Sequence, residues 1–476
     1  MFNTVRPLIA FLALTLVAPV AAQQKPSAGK PAAGKSPTID IPFEQYTLPN
    51  GLRVILSQDR SVPRVAVNVW YHVGSKNEEK GRTGFAHLFE HVMFTGSGNI
   101  PYGVHDQLTN GVGGSNNGTT DNDRTLYFET VPSNYLETAL WLESDRMGFL
   151  LEALDIDKLN AQRDIVKNER RQRIDNQPYG RVGEILSAAT YPPGHPYSWS
   201  VIGSMEDLSA ASEEDVKNFF RLYYAPNNAI LTIVGDFDPA QTKGWIEKYF
   251  GGIPRGKPIE RPKIEPVTLA AEKRLLFEDA VPTPRLYIQW PTVGRRNADQ
   301  FALSVLASVL TGGRTARLTK ALVYDKQAAA NIGAFQSTSE DVGEFEISVT
   351  PRPGHALAAI EQEIDAILEK LKAEGPTEQE LQLATASQEL NFVAGLQSHL
   401  GKSMQLADGA GYHNDPGYYR KAYEARRAVT TEDVKRVANK YLTKGRVVLS
   451  VVPKGKPELA SKPEASTKVG GAGEVK

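Results

Sequence analysis

The sequence contains no cysteine. That absence excludes disulfide frameworks, thiol nucleophiles, cysteine zinc sites and iron–sulfur clusters at once. Histidine is scarce at eight residues, so any metal must be held by a small subset of them with Asp or Glu. Charge of one sign is also lacking. Lys and Arg total 54 against 55 Asp and Glu, a formal net charge of −1, which gives no basic field for nucleic acid or an anionic membrane. Composition is otherwise that of a globular chain, with 41% hydrophobic and 8% aromatic residues, and 476 residues are enough for two or three domains.

Long hydrophobic runs are missing too. The best is Leu8 to Ala18, preceded by Arg6 and followed by Val20-Ala21-Ala22. It is too short for a membrane-spanning helix, which needs about 20 residues. Its layout predicts a signal peptide over 1–22 and hence a periplasmic or secreted protein with no membrane span after cleavage. Residues 23–39 are rich in Pro, Ala, Gly and Lys and read as a flexible linker; 454–476 read as a flexible tail.

What lies between is a repeat. Arg53-Val54-Ile55-Leu56 leading to Pro63-Arg64 resembles Arg274-Leu275-Leu276-Phe277 leading to Pro284-Arg285. Phe85-Ala86 with Thr95-Gly96 resembles Phe301-Ala302 with Thr311-Gly312, and Glu214-Asp215-Val216-Lys217 resembles Glu432-Asp433-Val434-Lys435. Three collinear matches at nearly constant offset imply two homologous domains. We place them at 40–253 and 268–453, joined by a Pro-rich linker, 254–267. Val65 to Tyr71 alternates as a strand does, whereas His355 to Lys372 and Ser133 to Leu151 carry helical periodicity. Each half is therefore expected to be α+β, a mainly antiparallel sheet with helices packed on one face.

One segment carries chemistry. In Gly84-Phe85-Ala86-His87-Leu88-Phe89-Glu90-His91-Val92-Met93-Phe94, His87 and His91 stand at i and i+4, one turn apart on one helix face. That spacing suits two corners of a tetrahedral zinc site, and Glu90 could take a proton from water at an open position. The order is H-x-x-E-H, the inverzincin motif. The surrounding Phe85, Leu88, Phe89, Val92 and Met93 predict a buried helix, where an unpartnered polar trio would be costly. The repeat sharpens this. In the second half Leu303, Leu306 and Ala307 stand where His87, Glu90 and His91 do, so the fold itself does not require the trio.

A catalytic zinc wants a third protein ligand. His105 and His195 are conceivable but sit in Gly/Pro-rich stretches. The predicted helix Ile156 to Ile174 is a better source. Its inward stripe runs Leu159, Gln162, Ile165/Val166, Glu169, with Arg163, Lys167, Arg170 and Arg171 on the remaining faces. A carboxylate on such a stripe is either metal-bound or salt-bridged, and Glu169 is the candidate.

Together these residues resemble the pitrilysin/insulinase family of zinc metallopeptidases, of the short bacterial type similar to mitochondrial processing peptidase subunits. The resemblance spans about Pro42 to Pro453. It rests on Leu48 to Val54, Gly84 to His91, Phe94 to Ser97 with Pro101, Gly113 to Thr119 with Asp123, Thr125 and Tyr127, and Arg163 to Glu169. It implies one zinc per chain on His87, His91 and Glu169, with Glu90 as general base. It further implies that Gly114, Ser115, Asn116 and Asn117 belong to an edge strand that pairs with an extended peptide. Two departures stand out. Gln162 occupies the place of a family Glu seven residues before the metal-binding one, leaving a neutral neighbour to tune the metal. Val323 and Ala330 stand where the family carries an Arg and a Tyr that complete the active site; Tyr324 is off register, and Arg314 and Arg317 lie upstream. The expectation is therefore a zinc endopeptidase subunit that acts in peptide degradation, as a heterodimer with a homologous chain bringing Arg and Tyr. A homodimer is possible. The competing expectation is a non-catalytic zinc-binding structural subunit of a larger assembly, for which Glu90 would have no use.

Overall fold

The computed structural model describes residues 39–261 and 263–470. The expected signal peptide and nearly all of the expected linker after it lie outside the described residues. Among the described residues there are two six-stranded sheets. The first holds β1 (Glu44–Thr47), β2 (Arg53–Gln58), β3 (Arg64–Tyr71), β4 (Ser115–Thr120), β5 (Thr125–Pro132) and β6 (Ala229–Gly235), in the order β1-β2-β6-β3-β5-β4. The second holds β7 (Lys273–Asp279), β8 (Arg285–Val293), β9 (Ala329–Thr338), β10 (Val342–Pro351), β11 (Val447–Pro453) and β12 (Thr467–Lys468), in the order β12-β7-β11-β8-β10-β9. From β2 to β4 and from β7 to β9 the two orders correspond strand for strand. The repeat read in the sequence is thus a repeat of topology. Pairings are mainly antiparallel, with β2/β6, β7/β11 and β7/β12 parallel.

The helices of the first half are α1 (Phe85–Val92), α2 (Val104–Asn110), α3 (Leu136–Ala153), α4 (Ile156–Arg170), α5 (Val182–Thr190), α6 (Met205–Ala210), α7 (Glu213–Tyr223) and α8 (Pro239–Phe250). Those of the second are α9 (Asp299–Thr311), α10 (Leu357–Glu374), α11 (Glu378–Gly395), α12 (His399–His413), α13 (Tyr418–Arg427) and α14 (Thr431–Tyr441). The repeated Glu-Asp-Val-Lys motif opens α7 and α14. Each starts with a reciprocal capping box, Ser212 with Asp215 and Thr430 with Asp433, which satisfies backbone donors at the helix start.

Most helices of each half cover one face of that half's sheet, as expected for α+β. Val65, Val67, Val69 and Tyr71 of β3 join Phe89, Leu140, Leu159 and Phe220 in one core, and Leu286, Ile288 and Trp290 of β8 join α9, α10 and α14 in the other. The opposite face of each sheet is covered by a helix from the other half. Helix α12 lies on β3 and β6, where Trp70 Nε1 donates to Asp408 (3.1 Å) and Arg53 to the Ala410 carbonyl (3.0 Å). Gly411 permits the approach, because a Cβ there would sit 2.5 Å from the Trp70 ring. Reciprocally, Val182, Ile185, Leu186 and Ala189 of α5 pack on Leu275, Tyr287 and Leu449 of the second sheet. This exchange explains why β3 is buried on both faces although its sequence only alternates.

The halves are also tied by charge. Lys76 Nζ lies 3.0 Å from Asp123, 2.7 Å from Glu340 and 2.9 Å from Asp341, its side chain only 7% exposed. His72 meets Glu340 at 2.6 Å from the other side. Burial alone would raise the Glu340 carboxyl; the hydrogen bond from His72 and the Lys76 charge outweigh it and hold it far below the usual range. Beyond Pro453 the expected flexible tail is corrected in part. Thr467–Lys468 pair with Leu275 and Leu276 as β12, and Val469 is buried beside them. Apolar side chains spaced among Lys and Glu were too sparse there to announce a strand.

Candidate metal centre

Helix α1 begins at Gly84, whose φ of 91° is left-handed and favours glycine. Gly84 has no side chain to cap the helix. The cap comes from upstream instead: the buried Glu78 carboxylate accepts from Gly84 N (2.9 Å) and Ala86 N (2.8 Å). Burial pushes its carboxyl up to about 8, although those backbone donors oppose the shift. Phe85, Leu88, Phe89 and Val92 face the core, so His87, Glu90 and His91 are left on the remaining side.

Helix α4 lies against α1, and its last turn brings Glu169 to that side. Glu169 Oε2 is 3.1 Å from His91 Nε2 and 3.7 Å from His87 Nε2. The three donor atoms all lie within 4.8 Å of one another. Ligands at 2.0–2.1 Å from a tetrahedral zinc sit about 3.3 Å apart, so this set fits the ion. Burial pushes the His87 imidazole down to about 4, helped by its neighbour His91, and pushes His91 down as well. Both are therefore neutral near pH 7, the state a metal requires.

Glu90 stands on the open side of this triangle. Thr120 Oγ1 at the end of β4 donates to Glu90 Oε2 at 2.6 Å. Burial raises the Glu90 carboxyl; the Thr120 hydroxyl pulls it back in part, and the Glu169 charge raises it further. Beside it opens a cavity of ≈ 260 Å³ lined by Glu90, His91, Phe94, Asn116 and Asn117. Strand β4 is the edge of its sheet. Asp121 N donates to Arg124 O to close the hairpin, and antiparallel alternation then turns the backbone groups of Asn116, Gly118 and Thr120 outward. Asn117 is exposed and its Oδ1 accepts from Gly118 N (2.9 Å); Asn116 Nδ2 donates to Asp106 (2.9 Å). Ser115 is exposed at the start of the strand, and Gly114 precedes it. Gly118 lies against Glu90, since a Cβ there would be 2.8 Å from Glu90 Cγ.

Several expectations need adjusting. Gln162 is buried on α4, as its stripe implied, but Ile165 is exposed and Val166 alone fills that turn. Arg163 and Arg170, expected outside, are buried: Arg163 donates to the Ala211 carbonyl, and Arg170 to Glu184 and to the Gly203 carbonyl (2.9 Å). A guanidinium can go inside when its donors are met, which residue type alone does not reveal. His105 is in α2 rather than a loop, near Glu129 and Glu143, while His195 stacks on Tyr191. In the other two groups of metal-type ligands among the described residues a side-chain cation already stands among the acids. Arg146 pairs with Glu143 beside His105 and Glu129, and Lys76 sits among Asp123, Glu340 and Asp341. In the second half Val323 is half-buried and Ala330 exposed, Arg314 is exposed, and Arg317 is held by Glu380 (2.7 Å) and the Gly375 carbonyl (2.8 Å).

Residues 53–198 match the model of the insulinase family, Peptidase family M16, and residues 210–387 match that of the Peptidase M16 inactive domain. The zinc protease PqqE of Helicobacter pylori is 31% identical over 410 residues, 84% of this chain and 90% of the relative. The mitochondrial-processing peptidase subunit beta of Blastocladiella emersonii is 25% identical over 427 residues, 85% and 87% of the two chains. The crystal structure of a protease from Helicobacter pylori superposes with a TM-score of 0.81 at 29% identity, over 87% of this chain and 99% of that one. The chain belongs to peptidase family M16, the insulinase family of zinc-dependent peptidases.

Proposed function

We propose that this protein is an exported zinc-dependent endopeptidase subunit that hydrolyses peptides or unfolded polypeptides. The observation that carries the reading is the convergence of His87, His91 and Glu169 beside Glu90, at the open edge of β4. The two histidines and Glu169 would hold the zinc. When bound, it supplies Lewis-acid polarisation of the scissile carbonyl and makes water acidic enough to attack near neutral pH. An extended peptide adds to the outward groups of Asn116, Gly118 and Thr120, so its backbone is fixed with little demand on sequence. Asn117, at that edge, contacts the chain near the scissile bond, and the ≈ 260 Å³ cavity receives an adjacent side chain. Glu90 takes the proton from the attacking water and passes it to the leaving amine. Its hydrogen bond from Thr120 keeps the carboxylate aimed at that place.

Positive charge for the developing oxyanion comes from a homologous partner bringing Arg and Tyr, since Val323 and Ala330 offer neither and Arg317 is already engaged with Glu380. Export rests on the signal-like first 22 residues; no helix among the described residues is long and apolar enough to cross a membrane. The test uses a quenched peptide, with and without the partner. Cleavage should stop with a chelator and fall about 10²- to 10⁴-fold in Glu90→Gln with zinc retained. Zinc bound without cleavage in any pairing would instead favour the non-catalytic structural subunit.

A further inference from the structure

We propose that Arg173 is a positioning residue for this centre: it fixes the outer oxygen of Glu169 so that the inner oxygen is left to the metal. The proposal rests on the zinc-peptidase reading above. The two oxygens of Glu169 have separate neighbours. Oε2 faces His91 and His87 at 3.1 and 3.7 Å, whereas Oε1 is bound by the Arg173 guanidinium. Glu169 and Arg173 are i and i+4, and the chain between them passes from α4 into one wider turn, Arg171–Asp175, where Asn176 N donates to Arg171 O. Wider turns of this kind concentrate at functional sites.

The basic residues around Arg173 are engaged elsewhere. Arg163 and Arg170 bind carbonyls and Glu184, and Arg171 binds Asn168 (2.6 Å). Glu169 is the one ion-pair partner of Arg173 among the described residues, though the Arg173 side chain is 75% exposed. A carboxylate free to rotate about its last bond presents either oxygen, or both, to an ion. A planar guanidinium on one oxygen removes that freedom and leaves a single, directed ligand atom. Electrostatics works the other way, because a cation near a divalent ion weakens its binding. The sign of the effect therefore separates the two roles: orientation makes Arg173 strengthen zinc binding, and charge alone makes it weaken it.

The experiment compares the full chain with Arg173→Ala and Arg173→Lys. Zinc affinity is measured by competition with a chromophoric chelator, and ligand geometry by the visible absorption of the cobalt-substituted protein. We expect Arg173→Ala to bind zinc about 10- to 100-fold more weakly, with a shifted cobalt band, while its thermal unfolding in chelator is unchanged. Arg173→Lys, which keeps charge but not the planar fork, should recover only part of the affinity. Equal or tighter zinc binding in Arg173→Ala with an unmoved cobalt band would overturn the assignment and leave the zinc-peptidase reading intact. A wild-type chain that binds no zinc would overturn both.

Discussion

The two halves share a scaffold and differ where the chemistry is. In the first, α1 presents His87, Glu90 and His91; in the second, α9 presents Leu303, Leu306 and Ala307, all buried. The sheet edges differ in the same place. The outward amide of Gly118, beside Glu90, is met by the side chain of its neighbour Asn117 (2.9 Å), whereas at Ala334 of the second edge strand the Thr311 hydroxyl accepts from the amide (2.9 Å) and reaches the carbonyl (3.4 Å). Thr95, the counterpart of Thr311, turns back to its own helix and bonds Val92 O (2.8 Å). The second half thus carries aliphatic side chains where the first carries two His and a Glu, and a threonine hydroxyl engages the backbone of its edge strand. A shared fold dictates neither feature; a few side chains do.

The largest test transplants one half into the other. Carrying His87→Leu, Glu90→Leu and His91→Ala together should abolish zinc binding, measured by elemental analysis, and abolish peptide cleavage. The thermal midpoint of the metal-free chain should not fall, because the second half folds with those residues in place. A variant that fails to fold would show the trio to be structural. The next effect concerns what joins the halves. Lys76→Met strands Asp123, Glu340 and Asp341 together and should cost about 3–5 kcal/mol in urea unfolding. The pH dependence follows from the same group. Glu340 is depressed in the folded chain, so its contribution is present above the ordinary glutamate range and is lost as pH falls through its lowered value. Lys76 is held up: burial would lower it, but the charges of Asp123 and Glu340 outweigh that, so its share is lost only as pH rises through its raised value. Acid and alkali should each loosen wild type, and Lys76→Met should flatten both limbs. The smallest effect is local. Gly118→Ala presses on Glu90 and should lower kcat about tenfold with little change in fold, while Ala334→Gly in the second half leaves kcat unchanged.

Much of this was legible in the residues, and what was not has physical causes. The i, i+4 histidines and the Glu169 stripe are local periodicities, so they survive translation from sequence to helix. Repeat offsets likewise carry topology, because homologous segments fold alike. The Glu78 cap was hidden, since a carboxylate six residues before a glycine has no fixed signature. The burial of Arg163 and Arg170 depends on acceptors at Ala211, Gly203 and Glu184, distant in sequence. The exchanged helices α5 and α12 were also hidden, because an apolar stripe declares that it is covered but not by which partner. Arg173 carries no signal of its own in the sequence, and its distinction lies only in which oxygen of Glu169 it touches.

The exchange of α5 and α12 bears on how the chain comes into being. The first sheet is complete once Gly235 has been made, yet the helix that covers Ala66, Asn68 and Trp70 ends at His413. At common synthesis rates that interval is about 9 to 36 seconds, during which an apolar sheet face waits for its cover. Neither half can finish alone, so the half that carries His87, Glu90 and His91 is held hostage to the translation of the other. A truncated chain ending after the first sheet would expose that face and invite aggregation or pairing with the α12 of another copy.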